Sequence, residues 1–300
     1  MIRSPDPKRL FMTNPIRRNF VTVREGQVHY RDCGDRTKPV LIMFHASPGS
    51  SWSLIPLMTE LASSRYVIAL DTLGNGDSAA PELDEPDIAY FADAHIRALR
   101  EIGVDNCDFY GTHTGAAICA EVSISHPHMV RRLVMDGVSL FDPKTRDSML
   151  ANNHAPALRP DHAGTQLLRA WTMIRDAHLF WPWWNRVPDQ RRDRGLPSAE
   201  HLHGEVVEVL KALTTYHKSY RTALAYPKRE RLPLVRHETL VASSPTDPLV
   251  RFVEDVVAIM PNAQPCITAG EDLPDQLAST ARSMIAFLSG EFSSSDALTR

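Results

Sequence analysis

Hydrophobic and polar positions change rhythm along this 300-residue chain, and each rhythm predicts a different element. From Phe20 to Asp32 apolar and polar residues alternate on either side of Glu25-Gly26, the period-two pattern of a half-exposed hairpin. Pro39-Val40-Leu41-Ile42-Met43-Phe44 is continuously apolar and short, as in a parallel strand buried on both faces. A turn-rich loop, His45 to Ser51, and a helix through about Leu61 follow. Tyr66-Val67-Ile68-Ala69-Leu70 is a second buried run, and Ile88, Phe91, Ala92, His95, Leu99 and Ile102 show helical spacing over 87–102. A third strand runs into Gly111, a helix reaches His126-Pro127, and Arg132 to Asp136 forms another strand. Strands alternating with helices in this way predict an α/β fold with a parallel sheet and right-handed crossovers.

From about Phe141 to Arg236 the alternation stops. This stretch is helical in pattern, broken by prolines, and bunches Trp171, Phe180, Trp181, Trp183 and Trp184, which predicts a helical cap inserted over residues 141–236. Sheet rhythm resumes at Thr239 to Ala242 and at Pro265 to Ala269, and an amphipathic helix closes the chain from about Asp275 to Leu288. The expected organisation is a polar leader over 1–18, a core made of 19–140 and 237–290, and a flexible tail over 291–300.

Composition narrows the class. A 43% hydrophobic chain of this length can bury one large core without a staple. A formal charge of −3, evenly spread, argues against nucleic acid or an anionic membrane as partner, and the Arg191 to Arg194 and Lys228 to Arg231 clusters read as solvated faces. Four scattered cysteines without Cys-x-x-Cys spacing read as reduced core residues. No run reaches the ~18 apolar residues of a membrane span. The expectation is a cytoplasmic protein acting on a small molecule, its oligomeric state left open, a homodimer included.

Chemistry concentrates at Asp108-Phe109-Tyr110-Gly111-Thr112-His113-Thr114-Gly115-Ala116-Ala117, an apolar strand that breaks at a glycine and restarts as a small-residue helix. With His45-x-x-Pro48-Gly49, Asp71-x-x-Gly74-x-Gly76-x-Ser78, the cap and Thr246-Asp247-Pro248, it completes a set of landmarks in which the chain resembles the α/β-hydrolase superfamily over about residues 20–290. The resemblance implies a mostly parallel α/β-hydrolase sheet with helices on both faces and an inserted cap. Two positions depart from the family pattern. His113 stands where the nucleophilic serine would be, and Glu271, after Gly270, stands where the base histidine would be.

Carried over by position, the family's acid falls on Asp247, with Asp136 as an alternative acid after the preceding strand. The expected catalytic group is therefore His113 facing Glu271, with Asp247 or Asp136 behind, and the backbone N–H groups of Ser47 and Thr114 forming an oxyanion hole. Three uses of the imidazole stay open: general base towards water, direct nucleophile, or an imidazolium acid in lyase or decarboxylase chemistry. A non-catalytic small-molecule binder is the remaining alternative. The cap aromatics Trp171, Trp181 and Trp184, with His45 and His162, are expected to line a pocket for an apolar or aromatic carbonyl substrate. Hydrolysis of an ester, lactone or activated C–C bond without a cofactor is the leading expectation, and no metal is expected, because the resemblance implies a fold that does not normally use one and no His-x-x-x-His or Cys-rich spacing appears.

Overall fold

A computed structural model describes residues 15–152, 154–270 and 272–292. Eight strands form one sheet: β1 (Arg17–Val23), β2 (Gly26–Cys33), β3 (Val40–Phe44), β4 (Tyr66–Leu70), β5 (Cys107–Thr112), β6 (Val130–Asp136), β7 (Thr239–Ser243) and β8 (Ala263–Ile267). Their order is β1-β2-β4-β3-β5-β6-β7-β8, antiparallel at β1–β2 and β2–β4 and parallel at every pairing from β4 onward. This is a mostly parallel α/β sheet with helices on both faces and a helical insertion between β6 and β7.

The continuous apolar runs explain the layering. Every residue of β4 is buried, because α1 (Ile55–Leu61) and α10 (Pro274–Ser289) cover one face, and α2 (Ile88–Ile102), α3 (Thr114–Ser125) and α9 (Val253–Ile259) cover the other. The α2 helix shows how local sequence sets an element. Asp87 caps its start by accepting the Tyr90 N–H at 2.7 Å, and Gly103 ends it in the left-handed region at φ 83°. Phe91, Ile96 and Leu99 between them are buried, each contributing about 1.5–3 kcal/mol of apolar burial.

Two boundaries differ from the sequence reading. Arg17 and Arg18 belong to β1 and not to the leader, because they pair with Asp32 and Arg31 of β2 and the Arg17 guanidinium grips the Asp32 carboxylate. The last strand starts at Ala263, opposite Thr239, and ends at Ile267, so Thr268 and Ala269 lie in the loop beyond it. The expected tail lies outside the described residues from 293 onward, whereas Phe292 packs against the core.

The insertion consists of α4 (Pro143–Ala151), α5 (Thr165–Leu179), α6 (Ala199–Lys211), α7 (Tyr216–Ala225) and α8 (Lys228–Arg231). It has a small core of its own, in which Ala170 and Met173 of α5 meet Leu202, Val206 and Val209 of α6 over Tyr216.

Candidate active site

His113 sits between β5 and α3 because only glycine fits on either side of it. A Cβ on Gly111 would lie 2.3 Å from the Gly115 carbonyl oxygen, and a Cβ on Gly115 would lie 2.1 Å from that of Phe44. The turn between them is so tight that His113 takes φ 51° and ψ −104°, and among the described residues no other non-glycine has a positive φ. Such backbone costs on the order of 1–3 kcal/mol and persists where surrounding contacts over-determine it. Here the His113 N–H donates to the Asp136 carbonyl at 2.9 Å, and the His113 carbonyl accepts from Ala117 at 3.3 Å.

The side chain meets a carboxylate from 134 positions further along the chain. His113 Nε2 lies 2.7 Å from Asp247 Oδ2, with the imidazole 32% and the carboxylate 16% exposed. Asp247 is itself held, since its Oδ1 accepts the Leu249 N–H at 2.7 Å and its own N–H donates to the Ser244 carbonyl at 3.0 Å. Burial alone raises the Asp247 pKa, but the imidazole and its hydrogen bond, the Leu249 N–H and Arg192 together hold it below the ordinary value. An ionised carboxylate only accepts, so Nε2 carries the proton and the lone pair of the neutral ring is on Nδ1.

Burial pulls the His113 pKa down, yet Asp247 and then Asp136 outweigh it and the net shift is upward, with Arg192 opposing. Asp136, whose Oδ2 accepts the Tyr110 hydroxyl at 3.1 Å, is pushed up to about 6 by burial and by the charge of Asp247. Gly137 makes room for the ring: at φ 62°, a Cβ there would stand 2.7 Å from His113 Nε2.

The pair opens into a cavity of about 880 Å³. Its core side is formed by Ala46, Leu54, Tyr110 and Asp136, and its roof by the segment around Arg194 to Pro197 together with His178, His201 and Glu205 of the cap. His178 Nε2 is bonded to Glu205 Oε2 at 2.7 Å, and Arg194 is paired with Asp272 at 2.8 Å. Arg192 ties cap to core by donating to the Ala177 carbonyl at 2.7 Å and to the Thr246 carbonyl at 3.0 Å, beside Asp247.

The structure brings His113, Asp247 and Asp136 together at the mouth of one cavity. Glu271 lies outside the described residues, and the imidazole partner seen is Asp247. Thr114 is buried at the first position of α3, and Ser47 is buried with its hydroxyl 2.9 Å from that of Ser219. His45 is not a lining residue: it is fully buried, its Nδ1 donates to the Ala46 carbonyl at 2.7 Å and its Nε2 accepts the Thr72 N–H at 3.0 Å, so both nitrogens are committed to the fold. His162 is exposed at the mouth of α5, where Asp161 accepts the Thr165 N–H at 3.1 Å. Trp171 packs on the cap's own core, while Trp181 and Trp184 line a separate cavity of about 470 Å³ with Phe141 and Met149. The sequence reading missed the roof. Arg194, read as part of a solvated cluster, faces the cavity, and the only prior signal for this segment was its His201-x-x-x-Glu205 spacing, one helical turn apart.

For a metal, the described residues offer His29, Asp71 and Asp77, whose ligand atoms lie within 4.8 Å of one another. Arg18 already donates to both His29 Nε2 and Asp77, Lys211 donates to Asp77, and His29 Nδ1 is bonded to Asp71, so cations of the chain itself neutralise this cluster.

Comparisons with known proteins bear on the fold that carries this site. A family model for the alpha/beta hydrolase fold matches residues 39–180. The chain is 37% identical over 102 residues to a 2-hydroxymuconate semialdehyde hydrolase of Pseudomonas sp. (strain CF600), covering 32% of this chain and 35% of that protein. It is 30% identical over 122 residues to Epoxide hydrolase 4 of Mus musculus, covering 39% and 33% respectively. The chain thus spans about a third of the length of the curated relatives it matches. Over the whole fold, it superposes on Epoxide Hydrolase A from Mycobacterium thermoresistibile with a TM-score of 0.70 at 20% identity, covering 92% of this chain and 99% of that one. An epoxide hydrolase from Solanum tuberosum gives 0.71 at 16%, covering 92% and 100%. The chain has the α/β-hydrolase fold with an inserted helical cap.

Proposed function

We propose that this protein is a hydrolase of a small carbonyl compound, an ester, lactone or activated C–C bond, and that His113 with Asp247 does the work of a Ser-His-Asp triad without a cofactor. The observation that carries the reading is the 2.7 Å contact between His113 and Asp247 at the tip of the strained turn, opening on a cavity large enough for a small molecule. The names of the relatives, a semialdehyde hydrolase and epoxide hydrolases among them, support hydrolysis of small molecules.

In this mechanism, Nδ1 of neutral His113 takes a proton from water as the water oxygen attacks the carbonyl carbon, and Asp247 stabilises the imidazolium formed. The oxyanion is met by backbone N–H groups at the start of α3, where Thr114 lies, and by that of Ser47. Collapse of the tetrahedral intermediate breaks the bond to the leaving group, which takes its proton from the His113 imidazolium. Leu54, Pro56, Leu196 and Pro197 offer an apolar wall, and Arg194, His201 and Asp272 a polar one, which suits a substrate with an apolar body and a polar end. The test is turnover on a panel of esters and lactones by wild type and His113→Gln: loss of activity in the variant is expected, equal rates above background would overturn the role of His113, and equal background-level rates would favour the binder unless CO2 or an unsaturated product is released. A fluorophosphonate serine probe should leave the protein unlabelled.

One observation favours a second reading. Two carboxylates raise the affinity of His113 for a proton, which suits an imidazolium acid in lyase or decarboxylase chemistry. Release of CO2 or an unsaturated product with no ester cleavage would select it.

A further inference from the structure

On the far side of the loop that follows β6, three cations surround a cavity of about 60 Å³. Lys228, the first residue of α8, is 9% exposed, and its ammonium donates to the Ala223 carbonyl in the last turn of α7 and lies 5.9 Å from the Tyr226 ring centroid. No carboxylate pairs with it among the described residues. Arg146 of α4 and Arg229 of α8 line the same cavity, Arg229 donating to the Leu140 carbonyl at 3.3 Å and Arg146 bonded to the exposed Asp147 beside it in sequence. Glu230 is the acid among the lining residues, and it is exposed.

We propose that Lys228, Arg146 and Arg229 form a binding site for a small oxyanion of the phosphate or carboxylate class, separate from the His113 cavity. A buried ammonium is ordinarily matched by a carboxylate, because removing it from water without a counter-charge is costly. Here one of its three N–H groups is spent on a helix-terminal carbonyl, whose partial negative charge compensates only in part. Burial and the neighbouring Arg146 accordingly push the amine down to about 7. The cavity takes a group of a few heavy atoms, and an anion there would accept from Lys228, bring the two guanidinium groups onto forked contacts, and remove the mutual repulsion of the three cations. The Ser139 hydroxyl on the same wall offers a further donor.

The test is isothermal titration of the full chain with inorganic phosphate and, separately, acetate, at constant ionic strength set with chloride. Saturable binding of one of the two anions is expected, with the Kd raised about tenfold or more in Lys228→Met and in Arg146→Gln. Thermal unfolding read in parallel should show the binding anion raising the midpoint of wild type and not of the variants. Absence of saturable binding of both anions in wild type overturns the proposal, as does wild-type affinity in Arg146→Gln. Should Lys228→Met fail to fold, Arg146→Gln and Arg229→Gln decide the matter.

Discussion

His113 Nε2 and Asp247 Oδ2 stand 2.7 Å apart, so the side chain at the tip of the strained turn is the imidazole itself, already partnered by the carboxylate that follows β7. In a serine triad three side chains share the tasks of attack, proton transfer and orientation. On the proposed reading, the proton-transfer group occupies the position of attack, which leaves water as the natural nucleophile.

Removing the carboxylate is the first prediction. Asp247→Asn keeps the shape but replaces the anion that fixes the tautomer and stabilises the imidazolium, and kcat should fall by roughly 100- to 10,000-fold. Steady-state kinetics on the best ester or lactone of the panel measure it, and an unchanged kcat would show that the contact is structural only.

The pH profile separates base from acid. Because the net shift of His113 is upward from its ordinary value of 6.5, the neutral ring predominates only above that value. A base or nucleophile therefore gives a rate that climbs with pH to an inflection above 6.5, and Asp247→Asn should move the inflection down. A rate that instead falls through the same inflection would assign His113 to acid chemistry.

Asp136 should make stability depend on pH. Its carboxyl keeps its proton up to about 6 in the folded chain against 3.8 ordinarily, so the folded state binds more protons in that window and stability is lost as pH rises through it. Asp136→Asn removes the charge and keeps an acceptor for Tyr110. It should be more stable than wild type by on the order of 1–3 kcal/mol at about pH 8 and equal to it near pH 3, as measured by urea unfolding at both pH values. Equal stabilities at high pH would mean that Asp136 is not paying for its burial.

Gly137→Ala tests the packing of the ring. The new methyl group would stand 2.7 Å from His113 Nε2 and 3.3 Å from Asp247 Oδ2, in a left-handed backbone conformation. The imidazole has to move, and a displacement of about 1 Å costs on the order of 100-fold in rate. The expected result is a folded protein, seen by circular dichroism, with kcat lowered by that order. Full activity would show that the ring has freedom to shift.

The arrangement of the sheet was legible because burial on both faces leaves a one-dimensional trace. Val40–Phe44 and Tyr66–Leu70 are continuous apolar runs, and each is a strand within the residues the pattern marks. The turn at His113 was legible for a steric reason, since Gly111 and Gly115 mark where two backbones approach too closely for a Cβ. The cap as a helical insertion was also readable, whereas its orientation was not. Aromatic density at Phe180 to Trp184 announces burial, but burial has no direction in a sequence, and Trp181 and Trp184 face a different cavity from His113.

The sequence by itself determined that an imidazole stands at the tip of the turn, and that Asp247 and Asp136 are carried to the same end of the sheet by consecutive parallel strands. Only the tertiary structure decided that Asp247 partners the ring and that Arg194, His201 and Glu205 roof the cavity. Local spacing governs which residues a strand or helix presents. Which carboxylate meets a ring 134 positions away depends instead on where two loops end in space, and that is set by the packing of the whole sheet and its cap.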